Sequence, residues 1–449
     1  MTVPDPKTNQ NQNNKVQVPF LVSAPGKVII FGEHSAVHGK PAIAAALSLR
    51  TYLSVSKSES PDTVSLIFPD INFSKQWKVS DFPWEAAAKY QVIPSNDGKL
   101  NNSAAFSKSS DELVPELVSA LAEMLVTIDD PTHYSAAYAF VYLYVNICNS
   151  KMPGYTFTAR STLPVGAGLG SSASLAVCLA SSLALIGGHI APASLSINEL
   201  VATDSPDSDF IHSWSFLAEK CIHGNPSGID NAVACYGGAV MFQRMKSSVP
   251  SVRTAMRNFP PLKLLLTNTK QPRRTADLVA KVSALVSDFP KSSGVIMDAI
   301  DYITREGYKL MIRPFFDNEA KSRFRELIRM NHGLLVSLGV SHPTLERVKL
   351  CCDELEIGDT KLTGAGGGGC AITLLRDELS ESTMKNAEAR LVSEGFETFE
   401  TTLGGKGVGY CPLDKAADVD KFDLFRLEDR EEIESTVGVG ANPNFWSFW

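Results

Sequence analysis

Pro164-Val165-Gly166-Ala167-Gly168-Leu169-Gly170-Ser171-Ser172-Ala173-Ser174 is the stretch on which the reading turns. Before it, Tyr155 to Thr162 alternates and is rich in Thr, Tyr and Phe, the pattern of a strand. After it, Ala173 to Ile186 is dense in Ala and Leu, which favours a helix. A glycine-rich turn that opens a helix suits an anion. Glycine lets backbone approach an oxyanion closely, and the first N–H groups and the positive dipole end of the helix point at it. A tight strand-to-helix turn with a serine N-cap would use the same residues. No Lys follows Gly170, so this is not a P-loop, and Ser171 stands where a dinucleotide-binding fingerprint has its third glycine.

Three further segments stand out. In Phe20 to His34, two apolar β-branched runs flank Pro25-Gly26, a turn or bulge signal, and Lys27, Glu33 and His34 follow. The plain alternative is a hairpin near a sheet edge with Lys27 in solvent. In Asn225 to Ala232, Pro226 breaks the preceding helix, and Ser227 with Asp230 three residues on resembles a capping box with Asp in place of Glu. In Lys361 to Cys370, five glycines fill six positions before a strand at Ala371 to Leu375. That density costs folding entropy and suggests close approach to a ligand or to the first loop, with a sharp hairpin corner as the alternative.

At 449 residues the chain is too long for one ordinary core, and two domains are expected. Its 44% hydrophobic and 20% charged residues are those of a globular enzyme. A net charge of −7 argues against nucleic acid as a partner, since there is no basic surplus to neutralise phosphates. Met1 to Val18 is polar, rich in Asn and Gln, and reads as a disordered tail and not as a targeting segment. No membrane span is expected. The eight cysteines are scattered with no C-x-x-C pair, which fits reduced thiols in the cytoplasm.

Helical spacing or composition predicts helices over 113–128, 136–148, 198–202 and 211–221, the last ending at Gly224, and over 275–285, 294–302, 321–338, 342–350 and 384–394. Strands are expected at 51–55, 64–68, 262–267 and 397–402, and Ser95 to Ser110 reads as a loose surface insertion. A cluster of Ser, Arg and Pro over 246–259 marks a domain boundary. The expected layout is therefore a tail over 1–18, domains over 19–245 and 260–413, and an acidic, aromatic tail over 414–449 whose Phe445 to Trp449 pack on the body.

Two glycine-rich loops suggest nucleotide phosphates. Phosphoryl transfer needs a phosphate cradle, Mg²⁺ held by hydroxyl and carboxylate, a cation and a group that orients the nucleophile. The chain offers a serine pair at the cradle, Glu219 on a nearby helix, Lys27 and Asp230.

Ser23-Ala24-Pro25-Gly26-Lys27, Pro164 to Ser174 and Lys361 to Cys370 resemble, in chain order, the three motifs of the GHMP small-molecule kinases. Gly32-Glu33-His34, Glu219 to Gly224, Ser227 to Asn231 and Asn331-His332 make the chain similar to the branch that phosphorylates mevalonate, from about Phe20 to Pro412. The resemblance implies an α+β fold of two domains with the active site in the cleft between them. It also implies transfer of the γ-phosphoryl of ATP to the terminal hydroxyl of mevalonate. Gly166, Ala167, Gly168, Leu169, Gly170, Ser171 and Ser172 would wrap the phosphates, with Ser161, Gly366 and Gly367 also at the nucleotide. Ser172 and Glu219 would hold Mg²⁺. Asp230 would accept the hydroxyl proton late, with Lys27 beside it, and Glu33, His34 and Thr269 would face mevalonate. Some family members are dimers and many are inhibited by prenyl diphosphates, so a homodimer and such an inhibitor are carried over as expectations. The competing readings are another kinase of the superfamily, acting on phosphomevalonate, galactose or homoserine, and a non-catalytic sensor that binds ATP and a metabolite on the same fold.

Overall fold

The computed structural model describes residues 16–92, 112–164, 166–199, 205–245, 252–256, 259, 262–413 and 422–449. The insertion read at 95–110 lies outside them, as do residues 1–15 of the polar tail, Val165 of the glycine loop, 200–202 of the helix expected at 198–202 and part of the expected boundary. Val16 and Val18, counted above with the tail, pack against the larger core.

Strands β1 (Phe20–Phe31) and β2 (Pro41–Lys57) form the spine. β1 is not an edge hairpin. It runs as one strand between β2 and β12 (Gly409–Pro412), and Pro25-Gly26 is a bulge at which the register moves from Pro25 opposite Arg50 to Lys27 opposite Ala46. A Cβ at Gly26 would lie 2.4 Å from Leu163, so only glycine lets the glycine loop come this close. β2 is 17 residues long, far beyond the expected 51–55. It pairs with β6 (Ala239–Gln243) at its start and with β5 (Tyr155–Ser161) at its end. Between them, Leu47 meets Leu403 of β11 (Glu397–Leu403).

That contact joins the two halves into one sheet. Its main path runs β13 (Ser447–Phe448), β12, β1, β2, β11, β8 (Leu262–Asn268), β10 (Cys370–Leu375), β9 (Gly358–Leu362). β3 (Thr63–Phe68) and β4 (Phe73–Lys78) extend from β5. β7 (Val252–Met256) pairs with β6 inside the stretch expected to be a boundary.

In the first half, α2 (Pro131–Ile147), α3 (Ser171–Gly187) and α4 (Pro206–His223) pack together, with α1 (Pro115–Met124) and α5 (Ile229–Tyr236) beside them. α2 and α3 are apolar around most of their circumference and each buries 12 of its 17 residues, as the continuous Ala-, Leu- and Tyr-rich runs demand. In the second half, α6 (Thr275–Asp288), α7 (Pro290–Met311), α8 (Asn318–Ser337), α9 (Pro343–Glu354) and α10 (Glu381–Ser393) back the β8–β11 sheet. A shared core of Ile30, Phe31 and Leu47 from one half and Leu264, Phe324 and Phe399 from the other closes the join. A largely apolar interface of this kind holds the halves in one arrangement.

The C-terminal segment folds back onto the first half. Arg430–Thr436 forms α11, β13 pairs with β12, and Trp446 and Phe448 are buried against Leu21 and Tyr52. Of the terminal aromatics expected to pack on the body, Trp446 and Phe448 do so, while Phe445 is exposed. Among the described residues no helix is long and apolar enough to cross a membrane. All eight cysteines are free thiols.

Candidate active site

The Gly26 bulge sets the centre of the site. Beyond it, the Lys27 backbone N–H donates to the Leu169 carbonyl at 2.8 Å, tying β1 to the glycine loop. Gly166, Gly168 and Gly170 all have positive φ. At Gly170 a Cβ would come 2.9 Å from Lys27 Cγ, so glycine here lets the lysine pass beneath the loop. Gly170 is the N-cap of α3, with no side-chain cap, so Ser171 and Ser172 occupy the first helical turn and the expected serine N-cap does not form.

Lys27 ends 3.2 Å from Asp230. The capping box read at Ser227 and Asp230 is absent. Gly228, left-handed at φ 76°, takes the N-cap position, and the Asp230 carboxylate turns to Lys27. Glu219 lies buried on α4, and its Oε1 has no hydrogen-bond partner. Burial, and after it the Asp230 carboxylate, push the Glu219 carboxyl up to about 7, against the pull of the Ser172 hydroxyl and Lys27. The Ser172 hydroxyl also stands 3.1 Å from His223 Nε2.

An orphaned, buried carboxylate oxygen beside a serine hydroxyl fits a hard divalent cation. Among the described residues no group of three His, Cys, Asp or Glu could hold a metal ion.

The residues expected to face the acceptor are placed differently from one another. His34 has φ 60°, rare for a residue with a side chain, and its Nε2 donates to the Ala365 carbonyl at 2.9 Å. Burial holds the imidazole below the usual histidine range. Glu33 does not face the cleft. Its carboxylate is fully buried, ion-paired with Lys361 and bonded at 3.0 Å by Asn331. Thr269 is buried too, and both its hydroxyl and its N–H donate to the Gly369 carbonyl, at 2.8 and 2.9 Å. Glu33 and Thr269 therefore support the walls that carry His34 and the second glycine loop.

In that second loop, Gly366 and Gly367 do not turn toward the first. Cβ atoms there would meet the Val340 carbonyl at 2.0 Å and Leu278 at 2.8 Å, so these glycines serve packing against the second half. Arg273, which no motif in the sequence singles out, joins the two loops. It donates to Ala167 of the first at 3.1 Å and to Thr363 and Gly368 of the second at 3.3 Å. The signal that could have found it was the absence of a Cβ at Gly168 and Gly369, where one would strike its guanidinium.

Where α3 begins, a cavity of about 440 Å³ opens beside Ser172 and His223, with walls that include Phe68, Asp70, Ile71, Ser161, Ser171 and Leu175. It is largely apolar with a few polar groups, as nucleoside sites are. Ser161, expected at the nucleotide, lies in this wall.

The two-half fold, the glycine loop opening α3 and the Lys27–Asp230 pair define a small-molecule kinase of the GHMP class. Family models agree: GHMP kinases N terminal domain matches residues 134–239, GHMP kinases C terminal matches 312–393, and a galactokinase galactose-binding signature matches 11–57. The mevalonate kinase of Candida albicans is 53% identical over 96% of this chain and 100% of its own length, and that of Saccharomyces cerevisiae 45% identical over 96% and 100%. The crystal structure of L. major mevalonate kinase in complex with R-mevalonate shares the fold, with a TM-score of 0.59 at 20% identity over 89% of this chain and 99% of that one. The chain belongs to the mevalonate kinase family.

Proposed function

We infer that the chain phosphorylates mevalonate, transferring the γ-phosphoryl group of ATP to the terminal hydroxyl to give 5-phosphomevalonate and ADP. The observation that carries this reading is the Lys27–Asp230 pair held beneath a glycine loop, in a chain similar to mevalonate kinases along almost its whole length.

The nucleoside enters the cavity beside Ser161, and the backbone N–H groups from Gly166 to Ser172 take the phosphates at the N-terminus of α3. Ser172 and Glu219 would hold Mg²⁺, which when bound neutralises charge on the phosphates. Asp230 orients the acceptor hydroxyl. As the hydroxyl oxygen bonds to the γ-phosphorus, the bond from that phosphorus to the β-bridging oxygen breaks, ADP leaves, and the hydroxyl proton passes late to Asp230. Lys27 stabilises charge on the transferring group. His34 belongs to the acceptor wall, with Glu33 and Thr269 behind it. Most of the acceleration comes from positioning and charge neutralisation, because a carboxylate is a weak base for an alcohol.

Prenyl diphosphates fit the same cavity, since Phe68, Ile71 and Leu175 offer an apolar lodging next to a diphosphate loop. A homodimer in the cytoplasm, with reduced thiols, completes the proposal.

ADP release with Mg²⁺-ATP tests the reading when mevalonate is compared with phosphomevalonate, galactose and homoserine. Turnover with mevalonate alone is the expected result. Turnover with another acceptor, or tight ATP binding without transfer, overturns it. Adding farnesyl diphosphate while ATP is varied tests the inhibitor, and sedimentation the dimer.

A further inference from the structure

One wall of the nucleotide cavity is built by a residue that answers to the far end of the chain. Arg160, on β5, is buried, with a side chain 9% exposed. Its Nε donates to Asp70 Oδ1 at 2.6 Å, and the Ser161 N–H donates to the other oxygen of the same carboxylate at 2.7 Å. Asp70, Ser161 and Arg160 all line the cavity. The other side of the guanidinium faces the C-terminal segment. Nη1 donates to the carbonyls of Leu424, at 3.3 Å, and Leu427, and Nη2 donates to Glu428 at 3.2 Å. One planar fork thus holds the cavity wall with one donor and the C-terminal segment with the rest.

The segment reaches the neighbouring residue as well. Tyr52 is the direct partner of Arg160 in the β2–β5 ladder, so the two share a sheet face. The Tyr52 hydroxyl donates to Glu434 Oε2 at 3.3 Å, and its ring packs on Trp446, with centroids 5.9 Å apart. Trp446 in turn donates to the Val437 carbonyl at 3.0 Å, closing the segment on itself. Lys27, Asp230 and His34 are held instead by β1, the glycine loops and α5.

We propose that Arg160 is a positioning residue that couples the C-terminal segment 422–449 to the nucleotide cavity, so that the seating of this segment sets affinity for ATP and leaves mevalonate binding alone. If the segment loosens, Arg160 loses its carbonyl acceptors. The guanidinium then has to find new partners, and Asp70 moves with it, carrying Ile71 and Phe68 in the cavity wall. The proposal rests on the nucleotide occupying this cavity.

Trp446→Ala tests it from outside the cavity, because Trp446 is held by Tyr52 and Val437 and does not line the cavity. The expected result is a rise of about five- to tenfold in KM for ATP, with KM for mevalonate and kcat each within about twofold of the starting values. Trp446→Phe restores most of the loss. In an Arg160→Ala background, Trp446→Ala adds nothing further, because both act through one connection. An unchanged KM for ATP, an equal rise in both KM values, or a full additional effect on top of Arg160→Ala overturns the proposal. The last outcome would make Arg160 a direct nucleotide contact. If Trp446→Ala does not fold, Tyr52→Phe, which removes only the hydroxyl on Glu434, carries the same comparison with the same criteria. Ser135→Trp, which fills the mouth of the cavity, separates the two readings. If it leaves KM for ATP unchanged, the nucleotide lies elsewhere. If it raises that KM while Trp446→Ala does not, the coupling alone is wrong.

Discussion

Lys27 and Asp230 meet at 3.2 Å although 203 positions separate them in the chain (230 − 27), and each arrives by a glycine device. The Gly26 bulge brings the lysine under the loop, and left-handed Gly228 starts the helix that presents the aspartate. Neither residue has an evident structural task that a neutral isostere could not perform. Lys27→Met and Asp230→Asn are expected to keep the wild-type melting profile and to lower kcat by at least about 10²-fold. Near-native turnover in either variant would remove that residue from the mechanism.

Glu219 gives a pH signature. Its carboxyl is raised from 4.5 to about 7, first by burial. A raised acid binds its proton more tightly in the folded chain than in the unfolded one. Its stabilising contribution is therefore complete below the ordinary carboxylate range and is lost as pH rises toward 7. In metal-free protein, Glu219→Gln should raise the melting temperature at pH 8 and leave it nearly unchanged at pH 4. The gain is at most about 3 kcal/mol by linkage. With Mg²⁺ present the order at pH 8 should reverse, because only the carboxylate holds the cation. Melts with and without EDTA check both signs, and an equal effect of the substitution at both pH values would rule out this titration.

The Glu33–Lys361 pair connects the halves at a point where both side chains are wholly buried. Two charges out of water repay their desolvation only together. Glu33→Gln or Lys361→Met alone should cost about 3–5 kcal/mol in urea unfolding, and the double variant less than the sum of the two. Because His34 follows Glu33 directly, the single variants should also raise KM for mevalonate more than KM for ATP. Additive losses would show that the two groups do not depend on each other.

How much of this was legible in the sequence follows from what each residue does locally. Glycines with positive φ announce themselves, and so the first loop and the helix end at Gly224 could be read directly, while the bulge at Gly26, which has no positive φ, was marked by its Pro-Gly pair. β2 could not. Pro41 to Leu47 is rich in alanine and buried on both faces, so it shows neither β-branched enrichment nor alternation. The fate of Asp230 was open because a capping box and an ion pair ask for the same residue, and only the position of Lys27 decides between them. Glu33 looked like a ligand because its partner, Lys361, lies 328 positions away. The folding of the C-terminal segment depends on packing against Leu21 and Tyr52 and on donors from Arg160, and nothing near residue 430 in the chain points to them.

Arg273 supplies the last prediction. Its guanidinium is partly buried between the glycine loops, and burial lowers its proton affinity, yet the groups it bonds are all backbone carbonyls. A planar fork can donate to Ala167 on one side and to Thr363 and Gly368 on the other at once, whereas a lysine ammonium on a flexible stem holds one such geometry poorly. Arg273 spans the two loops and sets their spacing, which on the proposed function places phosphate relative to acceptor. Arg273→Lys should therefore fold, retain its positive charge, and still lose about 10- to 100-fold in kcat/KM, since misplacing reacting groups by an ångström has that scale of effect. Gly168→Ala should produce a similar loss by a different route, because its Cβ would lie 2.4 Å from Arg273 Nη2 and force the guanidinium aside. Combining the two should give little more than either alone. Full activity in Arg273→Lys would mean that the charge, and not the bridge between the loops, is what the site requires.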